Sequence, residues 1–124
     1  MRLQATNYQA LGQIPILVTD DHKSIRERAA KKIRLNLREE LGEGIDSHVH
    51  IQSEAQRLAP EKLANFEKGI FLVDIHLGKE HRRAGIGFIE DIRKTVPQAL
   101  IIVFTGYPDR REEAEEAGAD FFFI

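Results

Sequence analysis

Ile70-Phe71-Leu72-Val73-Asp74 is an apolar run that ends abruptly in a carboxylate. Four large apolar residues in succession, without alternation, predict a strand buried on both faces at the centre of a parallel sheet. Asp74 is then the first polar residue at its carboxyl end, where open α/β sheets bind ligands. Two other runs follow the same pattern. Ile16-Leu17-Val18-Thr19 leads into Asp20-Asp21, and Leu100-Ile101-Ile102-Val103-Phe104 leads into Thr105-Gly106. If these strands are parallel neighbours, three carboxylates and a hydroxyl converge in one crevice.

At 124 residues with 42% hydrophobic content, the chain can bury one core and has no room for a second domain. A net charge of -2 provides no global attraction to nucleic acid or to anionic membranes. No apolar stretch approaches the roughly 20 residues of a membrane span, and the N-terminus lacks a charged-then-apolar signal pattern. The absence of cysteine excludes a disulfide framework and a thiolate metal site, which makes the reducing cytoplasm the expected compartment.

Residues Met1 to Gln13 are mixed and polar and read as a leader ahead of a domain spanning residues 14–124. A strand from Ile14 to Thr19 tolerates Pro15 near its start. Lys23 to Leu41 carries Ile25, Ala29, Ile33, Leu37 and Leu41 along one helical face and many basic residues elsewhere, and Gly42 ends it. His48 to Ile51 alternates and suits an edge strand. Residues Glu54 to Glu67 predict a second, weaker helix that Pro60 breaks or restarts. After Asp74 comes a basic loop, His76 to Ala84. Ile86, Phe88, Ile89 and Ile92 then mark a helix closed by Pro97. A strand from Ala99 to Phe104, an acidic helix opened by Pro108-Asp109 and stopped by Gly118, and a last apolar strand from Phe121 to Ile124 complete the chain. This alternation predicts an α/β fold, a doubly wound parallel sheet of five strands with helices on both faces.

Clustered carboxylates repel: two unit charges 4 Å apart cost roughly 4 kcal/mol at an effective dielectric of 20. Proton uptake, a cationic side chain or a hard divalent ion must compensate. Mg²⁺, which keeps waters and phosphate oxygens beside one or two carboxylates, suits a half-open edge. Such a site would also neutralise an incoming phosphoryl group.

Four motifs then carry a resemblance: Asp20-Asp21 after strand one, Val73-Asp74 ending strand three, Thr105-Gly106 ending strand four, and Ala117-Gly118-Ala119-Asp120 before strand five. In this order, over about residues 14 to 124, they resemble the receiver domain of bacterial two-component response regulators. The resemblance implies a flavodoxin-like sheet of order 2-1-3-4-5. It implies Asp74 as the phosphoacceptor, charged from a phosphohistidine on a histidine kinase or histidine phosphotransfer protein. Asp20, Asp21, Asp74 and the His76 backbone carbonyl would hold Mg²⁺, Thr105 would contact a phosphoryl oxygen, and Thr105 and Phe122 would act as the switch pair. The domain would be a signalling unit, not an enzyme, assisting its own phosphoryl transfer and dephosphorylation. The family's lysine would fall immediately after Ile124 and its fifth helix later still, so the domain reads as one cut before that helix. Apolar surface near strands one and five would then lie bare unless a homodimer partner, a swapped segment or the leader covers it.

Other readings remain open on the residues. Leu77-Gly78 replaces the family's Met-Pro, and Lys79, His81, Arg82 and Arg83 either supply charge near the site or form a solvated loop. Asp74-Ile75-His76-Leu77-Gly78 nearly spells the Asp-x-His-x-x-Gly box of cobalamin-binding domains, with the glycine one position early and no later partner motif. His48 and His50 share a strand face and could ligate a metal, without an evident third ligand. The three aspartates could instead cap helices and turns, leaving a phosphorylation-independent pseudo-receiver that works as an interaction or dimerisation module.

Overall fold

A computed structural model describes residues 12–75, 84–105 and 110–123. The elements run β1 (Ile14–Thr19), α1 (Lys23–Leu41), β2 (Val49–Glu54), α2 (Pro60–Leu63), β3 (Ile70–Val73), α3 (Ala84–Thr95), β4 (Leu100–Phe104), α4 (Arg111–Ala117) and β5 (Phe121–Phe123). The strands form one sheet of order β2-β1-β3-β4-β5, parallel throughout. This is the doubly wound arrangement expected from the sequence, with β2 at an edge. Thr19 and Val73 are register partners, and so are Val73 and Val103. The residues that follow β1, β3 and β4 therefore emerge side by side at one edge of the sheet.

Strand alternation divides the apolar residues between two unequal layers. Leu17, Phe71, Val73, Ile101 and Val103 point to the side covered by α2, α3 and α4, where they join Leu63, Phe66, Phe88, Ile89, Ile92 and Ala114 in the main core. Phe71 anchors it, with the Phe66 ring centroid 5.6 Å away and the Phe88 ring edge-on at 6.5 Å. The opposite layer is small: Ile16, Val49 and Ile45 are buried, with Ile33 and Leu37 of α1 packed partly against them.

Two expectations need correction. The run Ile70 to Val73 is not buried on both faces: Phe71 and Val73 are buried while Ile70 and Leu72 are half-buried, because α1 packs on β1 and β2 and leaves the sheet beyond them open. The helix expected from Glu54 to Glu67 is mostly absent. Glu54 closes β2, and the helical part begins at Pro60, whose fixed φ favours a first helical position, continuing as a short 3₁₀ turn from Ala64 to Phe66. The β1 and α1 bounds agree with the sequence reading. Gly42 stands just past α1 at φ +82° and returns its N–H to the Arg38 carbonyl.

The amino edge of the sheet is tied by Arg93 at the end of α3. Its guanidinium donates to the carbonyls of Gly118 (2.6 and 3.2 Å), Pro97 (2.9 Å) and Ala99 (2.9 Å) and to Asp120 Oδ2 (2.8 Å). The same Asp120 oxygen accepts the Ile101 N–H at 2.8 Å. One cation thus joins α3, the end of α4 and the starts of β4 and β5. At this position the Asp of Ala117-Gly118-Ala119-Asp120 has a structural task.

Candidate functional site at the carboxyl edge

Three short turns build the site. At the end of β1, Asp20 donates its backbone N–H to Glu54 O at 3.2 Å. Its carboxylate accepts the His22 N–H at 2.8 Å, a turn closed by the aspartate's own side chain. Arg26, one turn into α1, donates to the Asp20 carbonyl at 3.3 Å. At the end of β3, the Asp74 N–H is held by Thr19 O at 3.0 Å, which locks the two aspartate-bearing strand ends together. At the end of β4, Thr105 is buried and donates its N–H to Phe123 O at 3.1 Å.

The backbone behind Asp74 is fixed by Gly85 in the first turn of α3. Its N–H reaches Ile75 O at 2.8 Å, and a Cβ on Gly85 would stand 2.4 Å from Ile75 Cα and 2.5 Å from the Asp74 carbonyl oxygen. A side chain there cannot fit without displacing the turn that carries Asp74. Gly85 is a positioning residue that sequence reasoning missed, and the only signal was a glycine opening an otherwise apolar helix.

Ligand atoms of Asp20, Asp21, His22 and Asp74 all lie within 4.8 Å of one another. Asp20, Asp21 and Asp74 are therefore brought together as expected. His22 is an addition; its Nδ1 stands 3.3 Å from Asp20 Oδ1 and 3.0 Å from Asp21 Oδ1. Its adjacency to the Asp20-Asp21 pair was the available clue. The Asp20 and Asp21 side chains retain 15% and 28% of their exposure, open enough for a ligand with its own waters. Buried Thr19 Oγ1 makes no hydrogen bond, and buried Asp21 Oδ1 faces His22 Nδ1 at 3.0 Å without forming one of good geometry. A buried carboxylate oxygen this poorly partnered is costly, and a cation beside it would relieve the cost. The donor set is all oxygen apart from one imidazole and only partly enclosed, which fits a hard divalent ion with an open coordination sphere.

Phe122 sits on β5 opposite Val103, partly buried against the main core, with the Arg111 guanidinium carbon 5.9 Å from its ring centroid. It is turned away from Phe121 and Phe123, which are exposed. His76, with Leu77, Gly78, Lys79, His81, Arg82 and Arg83, lies outside the described residues, as do Gly106, Pro108, Asp109 and Ile124. Among the described residues, no grouping of three or more metal-ligating side chains includes His48 or His50.

No protein-family model and no curated protein matches the chain. Solved structures do. A response regulator protein from Burkholderia pseudomallei, crystallised with a phosphorylated aspartic acid, calcium ion and citrate, superimposes with a TM-score of 0.65 and 25% identity over 89% of this chain. The chain spans only 58% of that protein. A CheY-like receiver domain protein from Methanospirillum hungatei gives 0.57 with 27% identity, covering 90% of this chain and 80% of that one. The BeF3-activated DrrB receiver domain gives 0.56 with 25% identity, covering 90% and 84%.

Proposed function

This chain is a response-regulator receiver domain in fold, and on that premise we propose that it accepts a phosphoryl group on Asp74 with the help of a divalent cation, Mg²⁺ by chemistry. The observation that carries the reading is the convergence of Asp20, Asp21 and Asp74 within 4.8 Å at the carboxyl edge. Asp20, Asp21 and Asp74 would hold the ion, joined by the His76 carbonyl as the family resemblance implies. When bound, it neutralises the carboxylates and the phosphoryl oxygens.

The chain's own part is positioning. The Asp74 N–H to Thr19 O bond and the close approach of Gly85 to Ile75 hold the Asp74 carboxylate at the edge of the sheet. A carboxylate oxygen of Asp74 bonds to phosphorus as the P–N bond of a donor phosphohistidine breaks, and the imidazole nitrogen keeps the electron pair. Thr105 would take a phosphoryl oxygen through its hydroxyl. Its movement toward Asp74 would free space for the half-buried Phe122, a two-state bias set by the new charge. The donor is a histidine kinase or phosphotransfer protein, and the compartment in which such donors act is the cytoplasm.

Intact mass after treatment with acetyl phosphate and Mg²⁺ tests this. One added phosphoryl group is expected on the native chain and none on Asp74→Ala. An adduct that persists in Asp74→Ala, or no Mg²⁺-dependent adduct and no beryllofluoride binding in the native chain, would remove the assignment.

A further inference from the structure

Of the four metal-ligating side chains gathered at the carboxyl edge, three offer oxygen and His22 offers nitrogen. His22 stands immediately before α1 with φ -89° and ψ 109°, yet its side chain makes no capping hydrogen bond, a task suited to Ser, Thr, Asp or Asn. Its backbone is held on both sides. The N–H reaches Asp20 Oδ1 at 2.8 Å, and the carbonyl accepts the Ile25 and Arg26 N–H groups at 3.1 and 3.0 Å. From this fixed root the ring turns toward the aspartates, placing Nδ1 3.3 Å from Asp20 Oδ1 and 3.0 Å from Asp21 Oδ1.

Those separations are the edges of a coordination sphere. Ligand atoms about 2.1 Å from one ion and at right angles to each other stand about 3.0 Å apart, and opposite ones about 4.2 Å. The ligand atoms of Asp20, Asp21, His22 and Asp74 all fall within 4.8 Å of one another. Two further atoms point to an ion in their midst. Asp21 Oδ1 is buried and, although close to Nδ1, is not hydrogen-bonded to it. Thr19 is 1% exposed, lines the same cavity as Asp20 and Asp74, and has a hydroxyl without a partner. An ion would satisfy the carboxylate oxygen, and a water on that ion would satisfy the hydroxyl.

We propose that His22 Nδ1 is a fourth side-chain ligand of the ion at this edge, and that it tilts the site toward first-row divalent ions that accept imidazole. The inference rests on the reading above, in which Asp20, Asp21 and Asp74 hold a divalent cation. In the neutral Nε2–H tautomer Nδ1 keeps its lone pair for the metal. Mg²⁺ prefers oxygen and would bind through the aspartates and waters alone, whereas Co²⁺, Fe²⁺, Ni²⁺ or Zn²⁺ would gain the Nδ1 bond.

Calorimetric titration with Mg²⁺ alone and with Co²⁺ alone, on the native chain, His22→Gln and His22→Ala, tests the proposal. The His22 side chain is 67% exposed, so both variants should fold. Each is expected to lose roughly tenfold in Co²⁺ affinity while Mg²⁺ affinity barely moves. Proton magnetic resonance of the Co²⁺-loaded native chain should show strongly shifted imidazole C–H signals that both variants lack. Equal losses for the two ions, or a His22→Gln variant that restores native Co²⁺ affinity, overturn the proposal, because His22 then acts only as a hydrogen-bond donor to Asp20. Shifted imidazole signals that persist in both variants also overturn it, since another histidine is then the ligand. A native chain that binds Mg²⁺ and is phosphorylated on Asp74, with a Co²⁺ to Mg²⁺ affinity ratio unchanged by His22→Gln, sinks this inference alone. A native chain that binds neither ion and takes no phosphoryl group sinks the parent reading with it.

Discussion

At the scale of single residues, the acidic edge carries a repulsion that the proposed cation would relieve. Carboxylates within 4.8 Å of one another repel by about 1–3 kcal/mol for effective dielectrics between water and a protein surface. Asp21→Asn removes one charge from this cluster. In metal-free buffer it should therefore unfold at higher temperature than the native chain, by about 1–3 kcal/mol. With excess Mg²⁺ the order should reverse, because the native chain gains more from the ion. Thermal melts with and without Mg²⁺ decide it; a variant that is less stable in both buffers would mean that the aspartate serves the fold. Gly85 gives the opposite case, a residue with no chemistry whose size sets the site. Gly85→Ala forces a Cβ against the Ile75 and Asp74 backbone and should cost about 1–3 kcal/mol. It should also slow Asp74 phosphorylation more than an equally destabilising core substitution elsewhere does. The aspartates were legible in the sequence because charge after an apolar run is conspicuous. The need for glycine at position 85 was not, since it arises from the approach of α3 to a turn ten residues earlier.

At the scale of elements, the amino edge depends on one side chain. Arg93 satisfies three carbonyls and Asp120, which in turn fixes the Ile101 N–H. Arg93→Met keeps the aliphatic stem, removes the charge, and should cost about 2–3 kcal/mol, since partly buried acceptors are left unpaired. Asp120→Asn should cost less alone, and the double variant should fall short of the sum by about 0.5 kcal/mol or more, the mark of a shared network. Denaturant midpoints of the four proteins measure it; strict additivity would show that the two groups act separately. The sequence flagged Asp120 through its motif but was silent on its partner, because a separation of 27 positions between Arg93 and Asp120 carries no periodic signal. α2 fell short of its expected length for a related reason. Glu54 to Ala59 has a tolerable helical composition, yet Glu54 is taken into β2 opposite Thr19, and Ala59, ahead of Pro60, is extended at ψ 149°, as a residue before proline favours.

At the scale of the whole molecule, the two layers differ in strength. Phe71 and Phe88 are wholly buried in the main core, and Phe88→Ala should cost about 3–5 kcal/mol. Leu35 on α1 is half exposed, and Leu35→Ala should stay within about 0.5 kcal/mol. Native-state exchange should likewise open α1 below the free energy of global unfolding, while β3 and β4 exchange only through it. Simultaneous exchange of α1 and β3 would contradict this division. The sequence by itself determined the order of strands and helices, the bounds of β1 and α1, and the edge at which Asp20, Asp21 and Asp74 converge, because apolar periodicity and the residues that interrupt it are local properties. The tertiary structure alone decided which face of β3 stays open, that His22 joins the aspartates, and that Gly85 and Arg93 hold the two ends of the sheet. Those depend on distances between segments far apart in the chain, which only packing sets.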